Sequence, residues 1–109
     1  MTLSEIFRER KDKIEMQRSE AKAEVLRLEA LLRKGFEFES LFIVGSLVSG
    51  RFGRRSDIDL IIKGLKPEDF FKAHALLLRE SSFDIDLKPY EDLSEAFQSD
   101  VRKKGVKVG

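Results

Sequence analysis

The chain has 109 residues, a length that favours one domain. Its composition, 41% hydrophobic and 38% charged, fits a soluble globular protein, and the net charge of only +1 gives no general signal for nucleic-acid binding. The absence of cysteine excludes disulfides, thiolate metal sites and cysteine nucleophiles. The single histidine, His74, makes a histidine-rich metal site or a Ser/His/Asp triad hard to build.

Targeting signals are not visible in the sequence. The stretch Met1–Lys13 is charged throughout and therefore does not resemble a signal peptide. No apolar run approaches the roughly 18–20 residues that are needed to cross a bilayer. We expect a cytoplasmic protein without a membrane segment.

A long helix is predicted from Ser4 to about Lys34, because this stretch has neither proline nor glycine and is rich in helix-favouring residues. Gly35 follows where a helix usually stops. The sequence does not decide between one continuous helix and two helices separated by a break near Lys11–Lys13.

One apolar stripe with heptad-like spacing runs along the helix and comprises Ile14, Ala21, Val25, Leu28 and Leu32. The stripe either packs on its own domain or docks on a partner chain, so we divide the single domain into a helix, 1–35, and a core, 36–109.

The core is predicted to contain three apolar strands and two helices. The strands are Leu41–Val44, Ile58–Ile62 and Phe83–Leu87, and the helices run from Pro67 to about Arg79 and from about Asp92 to Lys104. Val106–Val108 could add an edge strand. The pattern is α+β, with one small sheet covered by helices.

Two aspartates at the start of the second strand form the first candidate site. Asp57 and Asp59 are two residues apart, so in a strand both carboxylates point to the same face. Their shared field raises the pKa of one of them unless a cation neutralises the pair. Mg²⁺ prefers oxygen ligands and keeps coordination positions open for phosphate and water. The Asp-Ile-Asp segment therefore predicts a magnesium site.

Gly45-Ser46, at the end of the first strand, forms the second candidate site. Glycine allows the backbone to approach a ligand closely, and exposed amides with the serine hydroxyl can hold phosphate oxygens. Three arginines follow where phosphates would arrive, although each could equally be a solvated loop charge: Arg51, Arg54 and Arg55. We include Arg55 and Ser56 with Gly45 and Ser46 among the expected nucleotide contacts.

A further carboxylate is expected from the third strand. Asp84 and Asp86 share a face of the predicted strand, so only one of them needs to be a ligand.

The Gly-Ser pair, followed after ten residues by Asp-x-Asp and later by an Asp-bearing strand, resembles the signature of the DNA polymerase β-like nucleotidyltransferase superfamily. The resemblance is to its minimal (MNT) members and covers roughly Phe38 to Val108. It implies a mixed sheet flanked by helices, and two Mg²⁺ ions that bridge three carboxylates and the triphosphate of ATP.

The resemblance also implies a role for each matching residue. Gly45 and Ser46 would contact the phosphates, and Asp57 and Asp59 would bind both metal ions. Asp86, preferred over Asp84 because Ile-Asp-Leu matches the hydrophobic-Asp-hydrophobic strand of the family, would bind the catalytic metal and help to activate the attacking hydroxyl. The reaction implied is transfer of AMP to an acceptor, with release of pyrophosphate.

Several functions compete at this point. The leading one is an adenylyltransferase acting on a partner protein, because minimal members commonly work beside a helical HEPN-type protein, in some pairs as the antitoxin. A homo-oligomer is an alternative assembly. A non-catalytic nucleotide-binding module would have no need to keep the carboxylates, and an antibiotic-modifying transferase needs more chain to hold the drug. An RNA-directed transferase is disfavoured by the lack of a basic surface.

Overall fold

The computed structural model describes residues 2–49 and 57–108, and within them the side chains at all positions other than 6–15, 46 and 49. The helices are α1 (Leu3–Gly35), α2 (Ser46–Ser49), α3 (Phe70–Glu80) and α4 (Glu95–Lys104). The strands are β1 (Ser40–Val44), β2 (Ile58–Lys63), β3 (Ile85–Pro89) and β4 (Val106–Val108). Short 3-10 turns, Pro67–Asp69 and Tyr90–Asp92, precede α3 and follow β3.

The four strands form one mixed sheet in the order β3-β2-β1-β4. β1 pairs antiparallel with β2 and with β4, whereas β2 and β3 pair in parallel. The parallel pair is possible because α3 carries the chain back to the start of the sheet between β2 and β3. The predicted α+β class, with a small mixed sheet flanked by helices, is confirmed.

Helix α1 is continuous through Lys11–Lys13, so the break that the sequence left open does not occur. Its first turn is closed by a capping box in which Thr2 and Glu5 satisfy each other's backbone amides. Four members of the predicted stripe are fully buried in the main core: Ala21, Val25, Leu28 and Leu32. The side chain of Ile14 lies outside the described set. The C-terminal half of α1 therefore packs on the sheet, and the proposed division at residue 35 stays a prediction.

The sheet is covered on both faces, and this explains why β2 reads as a nearly continuous apolar run. Ile58, Leu60 and Ile62 point into the main core below α1 and α3. On the opposite face, Ile61 packs with Tyr90 and with Val101 of α4. Because α4 covers only part of this second face, the end of β2 that carries Asp59 remains accessible.

Several element boundaries differ from the prediction. Helix α3 begins at Phe70 and not at Pro67, because Pro67–Asp69 forms a 3-10 turn. The third strand begins at Ile85 and not at Phe83, because its partner β2 begins at Ile58, which pairs with Ile85. The last helix begins at Glu95, since Ser94 caps its first turn by accepting a hydrogen bond from the amide of Phe97. The residues after Gly45 form a helical turn, α2, where a loop was expected. None of the helices in the described ranges has the length and apolar character of a membrane span.

Candidate functional site

Asp59 and Asp86 lie side by side on neighbouring strands. They are direct partners in the parallel β2–β3 ladder, and Val44 of β1 is the antiparallel partner of Asp59 on its other side. Registered residues on adjacent strands, about 4.8 Å apart, direct their side chains to the same face. The structure therefore brings Asp59 and Asp86 together, whereas Asp84 precedes β3 and is exposed.

The turn after β1 closes against the same carboxylate. Gly45 has a φ of +77°, and a Cβ at this position would overlap a carboxylate oxygen of Asp59. The sequence predicted that Gly45 allows a close backbone approach to a ligand. In the structure, the group that the Gly45 backbone approaches is the Asp59 side chain.

The carboxyl group of Asp59 is held in an unfavourable place for a negative charge. Its pKa is raised above the ordinary value of 3.8, first because partial burial disfavours the ionised form. The negative charges of Asp86 and Asp57 raise the pKa further, whereas the positive charge of Lys88 opposes the increase. Closely placed carboxylates of this kind are stabilised by a cation.

Asp57 and Lys88 complete the charged surroundings of the pair. Asp57 is exposed and immediately precedes β2, and the Nζ of Lys88 lies 3.3 Å from Oδ2 of Asp86. Across the described ranges, no three acidic or histidine side chains are close enough together to enclose a metal ion. The predicted trio of Asp57, Asp59 and Asp86 is therefore present as one registered pair with a third carboxylate nearby.

A hard divalent cation fits this arrangement on two observations. Within the described ranges the registered carboxylates of Asp59 and Asp86 face one paired lysine, so the pair keeps net negative charge, and both residues line the open cavity beside α4. Carboxylate oxygens are the ligands that Mg²⁺ prefers. Asp59 and Asp86 would hold the ion, and the negative charge of Asp57, immediately before β2, acts on Asp59.

The other predicted nucleotide contacts are only partly described. Ser46 is the first residue of α2, but its side chain is outside the described set. Arg55 and Ser56, with the other two loop arginines, lie in the stretch 50–56, outside the described residues. Their assignment as nucleotide contacts stays a prediction.

A cavity of about 730 Å³ opens beside the carboxylates, between α4 and the sheet. Sequence reasoning found no such pocket, because it depends on how α4 crosses the sheet. Residues from β1, α2, β2, β3 and α4 line it: Val44, Gly45, Val48, Asp59, Leu60, Ile61, Asp86, Lys88, Phe97, Asp100, Val101, Lys104 and Gly105. Its walls are mainly apolar and its rim is charged, as in many sites for small ligands.

Lys88 and Phe97 are the functional candidates that the sequence reading missed. Lys88 stands two residues after Asp86 but one residue beyond the predicted end of the third strand. It shares the strand face of Asp86 because β3 extends to Pro89. Phe97 stands four residues before the buried Val101 on α4, yet it is 42% exposed and lines the cavity.

The start of β3 is held in place by polar contacts from two helices. Nε2 of His74 on α3 lies 3.1 Å from the carbonyl oxygen of Ile85, so the ring donates a hydrogen bond to it. Ser81 donates from its hydroxyl to Glu24 of α1 and accepts from the amide of Phe83. These contacts hold the residues that immediately precede Asp86 in place.

Comparison with known proteins agrees with this geometry. The profile of a nucleotidyltransferase domain matches residues 28–108, which begins inside α1 and includes every strand. A search of curated proteins gave no match.

Two of the solved structures that share the fold come from toxin–antitoxin systems. One chain, from a toxin–antitoxin crystal structure with AMP-PNP, is 21% identical with a TM-score of 0.63 over 79% of this chain and 70% of that chain. A second, from a mutant of the toxin–antitoxin MntA-HpeT with two Asp-to-Glu substitutions two positions apart, is 18% identical with a TM-score of 0.60 over the same shares. The fold is that of the polymerase β-like nucleotidyltransferases, as the resemblance implied. The chain therefore belongs to the nucleotidyltransferase domain family.

Proposed function

We propose that this chain is a Mg²⁺-dependent adenylyltransferase of the minimal (MNT) type, located in the cytoplasm. Its substrate would be ATP, and its acceptor a hydroxyl group on a partner protein. The observation that carries the proposal is the pairing of Asp59 with Asp86 beside Gly45, at the mouth of a cavity of about 730 Å³. Membership of the nucleotidyltransferase domain family supports the transferase chemistry.

The chain's own residues would divide the work of the reaction. Asp57, Asp59 and Asp86 would hold the metal ions, and the backbone after Gly45, with Ser46, Arg55 and Ser56, would bind phosphate oxygens. Two Mg²⁺ ions, when bound, would neutralise the triphosphate and stabilise the entering and leaving oxygens. Asp86 would also accept the proton of the attacking hydroxyl, which its placement at the cavity allows.

The bond changes define the product. The acceptor oxygen would form a bond to the α-phosphorus while the bond from that phosphorus to the bridging oxygen of the β-phosphate breaks. Pyrophosphate would leave, the acceptor would carry an AMP ester, and its former proton would pass through the Asp86 carboxylate to solvent.

The partner that we propose is a helical HEPN-type toxin, with this chain as its antitoxin. Support comes from the two structural neighbours, which are both toxin–antitoxin proteins, one of them with AMP-PNP. Leu3 and Met16 on α1 are 71% and 63% exposed, so each of these apolar side chains is available for contact with a second chain. A homo-oligomer is the alternative assembly, and sedimentation of the isolated chain separates the two.

Calorimetry provides the first test, with a non-hydrolysable ATP analogue titrated in the presence and absence of Mg²⁺. We expect Mg²⁺-dependent binding to the wild type, and its loss in the Asp59→Asn/Asp86→Asn double variant. Asp84→Asn is the matched control, because Asp84 is exposed and precedes β3. Equal binding by the double variant would refute the carboxylate site.

Group transfer is tested separately with ATP labelled at the α- or the γ-phosphate. Nucleotidyl transfer leaves the α label, and never the γ label, on the acceptor. Competition by GTP, CTP and UTP tests the base preference. Tight nucleotide binding without any transfer would instead favour a regulatory module. Transfer to an antibiotic would favour a small-molecule enzyme completed by a partner chain.

A further inference from the structure

Lys88 is a cation placed inside the candidate site. It stands on β3 two residues after Asp86, on the same face of the sheet, and lines the cavity together with Asp59 and Asp86. Its Nζ lies 3.3 Å from Oδ2 of Asp86. No other cation is paired with either member of this carboxylate pair within the described ranges.

In its ion pair with Asp86, Lys88 neutralises part of the negative charge of the carboxylate pair, as a bound metal ion would. Two registered carboxylates repel each other, and the positive charge of Lys88 counters this repulsion at Asp59 as well. The contact uses an oxygen of Asp86, so the lysine ammonium and a metal ion compete for that oxygen.

The same ion pair is easily exchanged. The Lys88 side chain is 55% exposed and that of Asp86 is 43% exposed, and solvent-exposed pairs of this kind are weak. The ammonium group sits on a flexible four-carbon stem, and the open volume next to it is the cavity. After leaving Asp86, the ammonium can therefore reach an anionic group in the cavity.

We propose that Lys88 is the counter-ion of Asp86 in the metal-free protein, that a divalent cation displaces it, and that the displaced ammonium then binds the phosphates of the nucleotide. The proposal rests on the proposed function, since it needs both a metal ion and a nucleotide at this site. Lys88 would thus have two successive partners, Asp86 and then the phosphates, and the metal ion would bind before the nucleotide.

The two roles of Lys88 have opposite effects on the affinity for the metal ion and on the affinity for the nucleotide, so binding measurements can separate them. Removing the charge of Lys88 removes a competitor for Asp86, so the metal ion should bind more tightly. The same change removes a ligand for the phosphates, so the nucleotide should bind more weakly once the metal is present. A lysine that only supports the fold would weaken both.

The experiment uses Mn²⁺ as the probe, followed by electron paramagnetic resonance in the absence of nucleotide. We expect Lys88→Met to bind Mn²⁺ about three- to tenfold more tightly than the wild type, an effect that high salt reduces. Lys63→Met is the matched control: Lys63 lies on the same face of the sheet, four residues beyond Asp59 on β2, so the variant should bind Mn²⁺ like the wild type. If Lys88→Met does not fold, Lys88→Gln replaces it.

The second measurement is calorimetric binding of a non-hydrolysable ATP analogue at saturating Mn²⁺. We expect Lys88→Met to bind the analogue about three- to tenfold more weakly, and Lys88→Arg to restore the affinity because it restores the charge. Unchanged or weaker Mn²⁺ binding by Lys88→Met would overturn the displacement, and unchanged nucleotide affinity would overturn the phosphate contact. Failure of every protein, the wild type included, to bind Mn²⁺ would overturn the proposed function as well.

Discussion

The backbone of Gly45 faces the carboxylate of Asp59 so closely that a methyl group on Gly45 would overlap one of the carboxylate oxygens. Gly45 also has a φ of +77°, in the region that side-chain-bearing residues rarely adopt. The turn after β1 and the carboxylate on β2 therefore fit together only when residue 45 is glycine. This relationship fixes where the candidate phosphate-binding turn lies with respect to the candidate metal ligand.

Gly45→Ala should destabilise the protein by about 1–3 kcal/mol, because the left-handed backbone and the overlap with Asp59 both disfavour a side chain. Urea denaturation followed by circular dichroism measures the loss. Gly35→Ala is the control: its Cβ would meet nothing within 4 Å and it ends a helix, so its stability should be unchanged or higher by up to about 1 kcal/mol. Equal effects of the two substitutions would contradict the proposed fit.

Asp59→Asn should stabilise the metal-free protein at neutral pH, by a few degrees in Tm, which corresponds to about 0.5–1 kcal/mol. The folded-state pKa of Asp59 is raised above 3.8, so the folded protein keeps a proton that the unfolded chain releases. The free energy of unfolding of the wild type therefore falls as pH rises from 3.8 through the raised pKa. The Asp59→Asn variant has no carboxylate at this position and does not lose this stability.

Thermal denaturation in EDTA, from about pH 4 to about pH 8, measures this difference. The advantage of Asp59→Asn should grow with pH and level off above the folded-state pKa. Asp84→Asn, which removes one carboxylate at an exposed position, is the matched control. A variant that is less stable than the wild type at every pH would show that the carboxylate contributes favourably in the absence of metal.

Glu24→Gln should have the opposite pH dependence. The pKa of Glu24 is lowered from 4.5, chiefly because Arg27 donates a hydrogen bond to its carboxylate and also because Ser81 does, although burial works against this. The carboxylate therefore contributes stability that is complete above pH 4.5 and is lost as pH falls through the lowered folded-state pKa.

At neutral pH, we expect Glu24→Gln to cost about 1 kcal/mol, and the cost should disappear in acid. Glu29→Gln is the matched control. Glu29 also pairs with an arginine of its own helix, Arg33, 2.8 Å away, but unlike Glu24 it has no hydrogen bond to Ser81. Its cost should be only about 0.2–0.5 kcal/mol. Equal costs would mean that the link from α1 to Ser81 adds nothing to stability.

Leu28→Ala should cost about 2–5 kcal/mol, because Leu28 is fully buried in the core below the sheet. Met16→Ala, on the same helix, should stay within about 0.5 kcal/mol, because Met16 is 63% exposed. Urea denaturation of the two variants tests whether α1 is part of the folded domain. A small effect of Leu28→Ala would support a separately folding helix in residues 1–35.

The sequence by itself determined those helices, strands and candidate site residues that a local residue pattern specifies. The stripe of Val25, Leu28 and Leu32 specifies an amphipathic helix, because its spacing is that of one helix face. Asp59 within Ile58–Ile62 indicated a carboxylate with a special role, because a charge in an apolar strand is costly. The family resemblance noted in the sequence rested on the spacing between Gly45-Ser46 and Asp57.

Tertiary structure alone decided which groups meet, because strand register and helix crossing depend on contacts between distant parts of the chain. The parallel ladder places Asp86 opposite Asp59 and begins at Ile85, since a strand extends only as far as its partner does. The crossing of α4 creates the cavity, and the turn at Gly45 closes on Asp59. Lys88 lies just beyond the predicted third strand, and only the fold makes it the neighbour of the carboxylate pair.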